Sequence, residues 1–168
     1  MVYKLTNQTI LRRLFIFISG IVWFLSLKVG ISLIYENQEL IGGAQSFEIS
    51  FIKILINNSF LMIGSFFGFI FLSIPSIIML ISNGLVLGLY LGKAKILGIP
   101  INQLLFYTLP HFLEYIALWT VTGSSIINTW NLLKKQNKEI QNSIKTILPL
   151  VLLEVFIAAL IEYYVEIR

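Results

Sequence analysis

The chain has 168 residues, 57% of them hydrophobic and only 12% charged, with a mean hydropathy of +0.88. A soluble domain carries about 25% charged residues, so this composition cannot cover a water-facing surface and excludes a soluble globular fold. The net charge of +4 comes from Lys and Arg at the ends of apolar runs, which excludes a nucleic-acid footprint, and the lack of Cys excludes disulfides and thiolate metal sites.

About 20 apolar residues cross the hydrocarbon core as a helix, and five segments meet that need. Residues 14–35 form the first predicted span. Arg12 and Arg13 precede it, but the apolar run is too long for a secretory leader and no Ala-x-Ala site follows, so it is expected to stay as an anchor. Residues 51–72 form the second span and 76–92 the short third one. Only Ser73, Ile74 and Pro75 separate them, and Pro75 disfavours helix at the residue before it, which predicts a tight hairpin. Gly64 and Gly68 on the second span, and Gly84, Gly88 and Gly92 on the third, recur every four residues and make grooves for close helix approach. Packing within the bundle is the plain use of such a groove, and a seam with a partner subunit is the sharper one. Residues 104–130 form a long fourth span and 147–165 the fifth. The expectation is a single all-α membrane domain over residues 1–168, a polytopic bundle of about five helices.

Short-loop Lys and Arg set the orientation. Lys4, Arg12 and Arg13 lie at the N-terminus, and Lys134, Lys135, Lys138 and Lys145 lie in the loop 131–146, with four spans between them. Both are expected on the cytoplasmic side. The loop 36–50, with Glu36, Glu39 and Glu48, then lies outside, while Lys93 and Lys95 violate the rule.

Polar groups within the bilayer are costly and mark function or structural pairing. At about 1.5 Å per residue, Lys28, Asn57, Asn58 and His111 all come out roughly 10 Å below the outer face, with Glu114 roughly 15 Å deep and Glu162 in the last turn of its span. One polar cavity open to the outer side is expected from Lys28, Asn57, Asn58, His111, Glu114 and Glu162. The plainer alternative is a structural pair, Lys28 with Glu162, plus interhelical bonds from the Asn pair. Asn83 and Glu154 share a deeper level and would line the cavity or bond each other. His111 and Glu114 are three apart, hence on one helix face just after Pro110. With Glu162 they offer three metal ligands, or a carboxylate that accepts a proton from water. A single His and no His-Glu-x-x-His motif argue against a catalytic metal, and no cofactor is expected.

These residues also carry a resemblance. Asn57-Asn58 opening a span, the stretch from Pro75 to Asn83-Gly84 and Gly88, Pro110-His111-Phe112-Leu113-Glu114, and Ala158-Ala159-Leu160-Ile161-Glu162 resemble the stage II sporulation protein M family over most of the chain from the second span onward. In that family the third motif usually reads Pro-His-Gly-x-x-Glu. Phe112 stands at the Gly position here, which argues against a role needing tight backbone approach at that point. The resemblance implies two settings. The sporulation member is a membrane scaffold for cell-wall-degrading partners. Short members occur in circular bacteriocin clusters beside an ATP-binding cassette protein, linked with maturation, secretion or producer protection. A compact chain rich in Ile, Asn and Lys leans toward the second setting.

The function expected is therefore a membrane component of a peptide maturation, secretion or immunity complex in the bacterial plasma membrane. Its partners would be the bilayer, an ATP-binding cassette ATPase docked on the Lys134–Lys145 segment, other membrane subunits and a peptide substrate. No Walker-type motif is present, so ATP use would belong to a partner. An intramembrane peptidase or peptide cyclase using His111, Glu114 and Glu162 is the enzymatic alternative, and a hydrolase scaffold the structural one.

Overall fold

Backbone polar groups find no water in hydrocarbon, so a long apolar chain without barrel-type alternation must satisfy them within helices. The computed structural model of the chain describes residues 2–36, 51–108 and 111–166, and all of its regular structure is helical. In chain order these are α1 (Val2–Glu36), α2 (Phe51–Phe67), a 3-10 turn (Gly68–Phe71), α3 (Ile74–Ile96), α4 (Ile101–Thr108), α5 (His111–Leu133) and α6 (Asn137–Glu166). Glu39, Glu48 and Pro110, named from the sequence, lie outside the described residues.

Among the described residues, four helical stretches are long and apolar enough to cross a membrane: Thr9–Glu36, Phe51–Phe71, Ile74–Ile96 and Asn137–Tyr164. The chain is thus a multi-pass membrane protein. The fourth predicted span covers most of α4 and α5, with residues 109–110 between them outside the described residues. With 23 residues, α5 is as long as α3, yet it carries Thr122, Ser124, Ser125, Asn128 and Asn131. All five of these side chains are buried. It can be this polar because it packs against α1, α2, α3 and α6, so its neighbours are helices and not lipid.

The hairpin between α2 and α3 forms as expected. Leu72 and Ser73 take the left-handed conformation (φ 55° and 62°), and Pro75 sits in the first turn of α3, where its missing N–H is no loss. The loop predicted over 131–146 is mostly helix. Only residues 134–136 turn, and α6 begins at Asn137. The reason is amphipathic spacing: Ile140, Ser143 and Ile147 are buried while Lys138 and Lys145 stay exposed.

The glycine groove on α3 is filled by α1. A Cβ on Gly84 would come within 2.7 Å of the Trp23 carbonyl oxygen, and one on Gly88 would strike the Leu27 carbonyl and come within 3.0 Å of Gly30 Cα. These contacts ascend together in both helices, so α1 and α3 run parallel. Gly20 against Trp119 and Gly123 against Ile16 make α5 antiparallel to α1. The plain use of the groove, packing within one bundle, accounts for it.

On the other side, α5 is tied to the α2–α3 hairpin by hydroxyls. Thr122 Oγ1 lies 3.3 Å from Ser65 Oγ, Ser125 Oγ is bonded to Ser76 at 2.8 Å and Ser73 at 3.1 Å, and Thr129 Oγ1 lies 2.6 Å from Ser73 Oγ. The ascending pairs make α2 and α5 parallel. Interhelical hydrogen bonds in membranes contribute about 0.6–2 kcal/mol each. Ser125→Ala is expected to lower stability by about 1 kcal/mol, read as an earlier thermal unfolding in detergent. Ser73 and Ser76 keep other partners, Thr129 and the Ser65 carbonyl, which limits the loss.

Alternating directions gather the helix ends into two groups. One end holds the start of α1, the α2–α3 hairpin and the α5–α6 turn, with Arg12, Arg13, Lys134, Lys135 and Lys138. The opposite end holds the end of α1, the starts of α2 and α5, and the ends of α3 and α6.

Candidate functional site

The opposite end carries the site. His111 and Glu114 lie in the first turn of α5, one turn apart on the same face. The His111 Nδ1 is 3.2 Å from Glu114 Oε2. Glu162 arrives from the far end of α6 and places its Oε2 3.8 Å from the same nitrogen. Asn58, two turns into α2, donates its side-chain amide to Glu114 Oε1. Three helices therefore supply four polar groups to one point. The side chains of Glu114 and Glu162 are 13% exposed and that of His111 is 32% exposed.

Local packing fixes these positions. In α6, Ala158 and Ala159 are fully buried one turn before Glu162, and in α5 Ala117 and Leu118 are fully buried one turn after Glu114. Small residues let the two helices close up, so both carboxylates reach the imidazole. The His111 ring stacks on Tyr115 at 6.4 Å between centroids, and Tyr115 in turn packs on Trp23 at 4.6 Å. Beyond Tyr115 lies an apolar groove of about 380 Å³, lined by Leu27, Leu87, Thr108, Phe112 and Trp119 among others. Phe112 thus faces this groove, on a different side of α5 from His111.

The expected cavity is smaller than the sequence suggested. Lys28 does not join it. The inward stripe of α1 is Ser19, Trp23, Ser26, Gly30 and Ile34, at helical spacing, and Lys28 falls on the exposed face. Asn57 is exposed beside the site, with its side-chain amide 3.5 Å from Asn58 Oδ1. Asn83 is on another interface, accepting a bond from Trp23 Nε1 at 3.0 Å, so it does not serve Glu154. Glu154 lies two turns before Glu162, with its Oε2 buried and without a hydrogen-bond partner. Lys134, Lys135, Lys138 and Lys145 are all exposed, and the Lys134 ammonium sits 4.4 Å from the Trp130 ring centroid.

Sequence reasoning missed the hydroxyl network of Ser65, Ser73, Ser76, Thr122, Ser125 and Thr129. The available signal was the spacing of Thr122, Ser125 and Thr129 by three and four, which places three hydroxyls on one face of α5.

No curated protein and no solved structure matches the chain. The family model described as stage II sporulation protein M matches residues 13–165. That match takes in all four long apolar stretches except the first few residues of Thr9–Glu36, together with every residue of the polar cluster. The chain is a multi-pass, all-helical member of the stage II sporulation protein M family.

Proposed function

We propose that this protein is the membrane-embedded subunit of a peptide maturation and export complex of the circular-bacteriocin type, in the bacterial plasma membrane. The observation that carries the reading is the convergence of Asn58, His111, Glu114 and Glu162 at one end of the bundle. Such a group of donors and acceptors engages a polar peptide element, a terminus or a backbone amide, and the apolar groove beyond Tyr115 suits the hydrophobic part of the same peptide. The positive-inside rule favours a cytoplasmic place for the end with Arg12, Arg13, Lys134, Lys135 and Lys138, against Lys93 and Lys95 at the other end, and on that orientation the polar site opens outward. Lys134, Lys135, Lys138 and Lys145 then face the compartment where an ATP-binding cassette ATPase works.

A second reading is favoured by the approach of both carboxylates to one imidazole. In a peptidase or cyclase, one carboxylate would take a proton from the attacking water or amine. The new bond would form at the peptide carbonyl carbon as the C–N bond breaks, and the proton would pass to the departing amine.

The test is mild detergent purification of the tagged protein from its host, with mass spectrometry of what remains bound. An ATPase together with a small apolar peptide supports the proposal. A cell-wall hydrolase without an ATPase overturns it in favour of a scaffold. Reversing the charges of Lys134, Lys135 and Lys138 to Glu is expected to release the ATPase while topology is kept, since Arg12 and Arg13 remain. Because the chain has no native Cys, single introduced cysteines report that topology directly. An ATPase retained by the charge-reversed protein would remove the docking role.

A further inference from the structure

The sequence offered His111, Glu114 and Glu162 as three ligands, but a single His and no His-Glu-x-x-His motif argued against a catalytic metal. The fold brings Glu162 on α6 to the His111–Glu114 pair on α5. The imidazole of His111 and one carboxylate oxygen each from Glu114 and Glu162 all lie within 4.8 Å of one another. Tetrahedral zinc binds nitrogen and oxygen at about 2.0–2.2 Å, which sets neighbouring ligand atoms roughly 3.3–3.6 Å apart. The two distances from His111 Nδ1, 3.2 Å to Glu114 and 3.8 Å to Glu162, bracket that range. Each of these two distances is within a few tenths of an ångström of the range a shared ion needs.

We propose that His111, Glu114 and Glu162 form a binding site for a zinc-class divalent cation with one coordination position left open. Three independent features favour it. The donor set is one imidazole and two carboxylates with no thiol, which suits zinc and its first-row neighbours and disfavours the soft monovalent ions. Asn58 holds Glu114 by Oε1, and that leaves Oε2 turned to His111; outer partners of this kind orient metal ligands. The ligands sit on two closely packed helices and not on loops, so the geometry is held before the ion arrives. Three protein ligands leave room for a water or a peptide carbonyl, which connects the ion to either form of the function proposed above. The proposal deepens that reading of the site, but its test requires no peptide.

The full chain is purified in detergent, stripped with chelator and dialysed, and cobalt(II) alone is added. One cobalt per chain with the intense visible absorption of a tetrahedral site is expected, and zinc should displace it at one equivalent. Glu162→Gln and His111→Gln are expected to abolish the absorption, and Asn58→Ala to weaken binding by about 10–100-fold. Lys28→Met, on the exposed face of α1, is expected to bind as the parent does. A parent protein that takes up no cobalt and no zinc overturns the proposal, whatever the variants do. So does stoichiometric metal that persists unchanged in both Glu162→Gln and His111→Gln. If a variant does not elute as a single species, Glu162→Asp replaces it, and retained stoichiometry with an altered spectrum is then expected. Metal binding without peptide binding would leave the ion and remove the peptide reading, and the reverse result would do the opposite.

Discussion

Glu114→Gln is expected to abolish peptide maturation or export while leaving the protein folded and in the membrane. Glu114 is the hub of the polar cluster, accepting from Asn58 on α2 and meeting His111 on its own helix. The amide oxygen of Gln still accepts the Asn58 bond, so the tie between α2 and α5 survives. The negative charge facing His111 does not. Losing a hydrogen bond from a bound peptide to a charged carboxylate costs about 1.5–3 kcal/mol of ligand binding, and losing a proton acceptor in catalysis costs about 100–10,000-fold in rate. Either loss would be seen as disappearance of mature peptide from the medium, with membrane levels of the protein unchanged on an immunoblot. Lys28→Met serves as the control and should secrete normally, since Lys28 is on the exposed face of α1. Equal secretion by Glu114→Gln and the parent would end any role for the cluster beyond packing.

Gly88→Leu is expected to prevent assembly of a stable bundle. Gly88 and Gly30 meet back to back between α3 and α1, and a Cβ on either strikes main-chain atoms of the other helix. Overpacking a core with side chains that can move costs about 1–3 kcal/mol, and here the obstacle is backbone, so α1 and α3 must separate. Separation would also part Gly84 from Trp23 and Gly92 from Ile34. The measurement is fluorescence-detected size exclusion after graded heating. The variant should aggregate at temperatures where Gly64→Ala, whose Cβ would meet only the flexible end of Met79 at 3.4 Å, still elutes as the parent does. Equal thermal behaviour of the two variants would mean that the groove is not the main α1–α3 contact.

What the sequence made legible follows from physics that acts locally. Apolar length set the spans, Pro75 set the hairpin, and the repeat of Gly84, Gly88 and Gly92 set a close helix contact, though not which helix fills it. The pairing of His111 with Glu114 was visible because residues three apart share a helix face. Their meeting with Glu162 and Asn58 was visible as a shared depth, which is a weaker constraint. Depth says how far along a helix a residue lies and nothing about the side it faces. That is why Lys28, at the same depth, was grouped with residues from which α1 turns it away. The same limit misplaced Asn83, whose partner is Trp23 on α1 and not Glu154 on α6. The polar character of α5 was harder to use. Thr122, Ser125, Asn128 and Asn131 lower its hydropathy as a lipid-facing helix would not tolerate, and they do so because α5 is enclosed by other helices. The early start of α6 was hidden by its lysines, which read as loop until Ile140, Ser143 and Ile147 are seen to share a buried face.

The central claim is that the cluster end of the bundle receives a peptide. A photo-crosslinking amino acid replacing Asn57, exposed beside Asn58, tests it most directly in cells that make the peptide precursor. A second placement at Leu133, exposed at the opposite end, is the comparison. A covalent adduct between chain and peptide is expected at position 57 and none at position 133. Equal labelling at the two positions, or labelling at 133 alone, would contradict it.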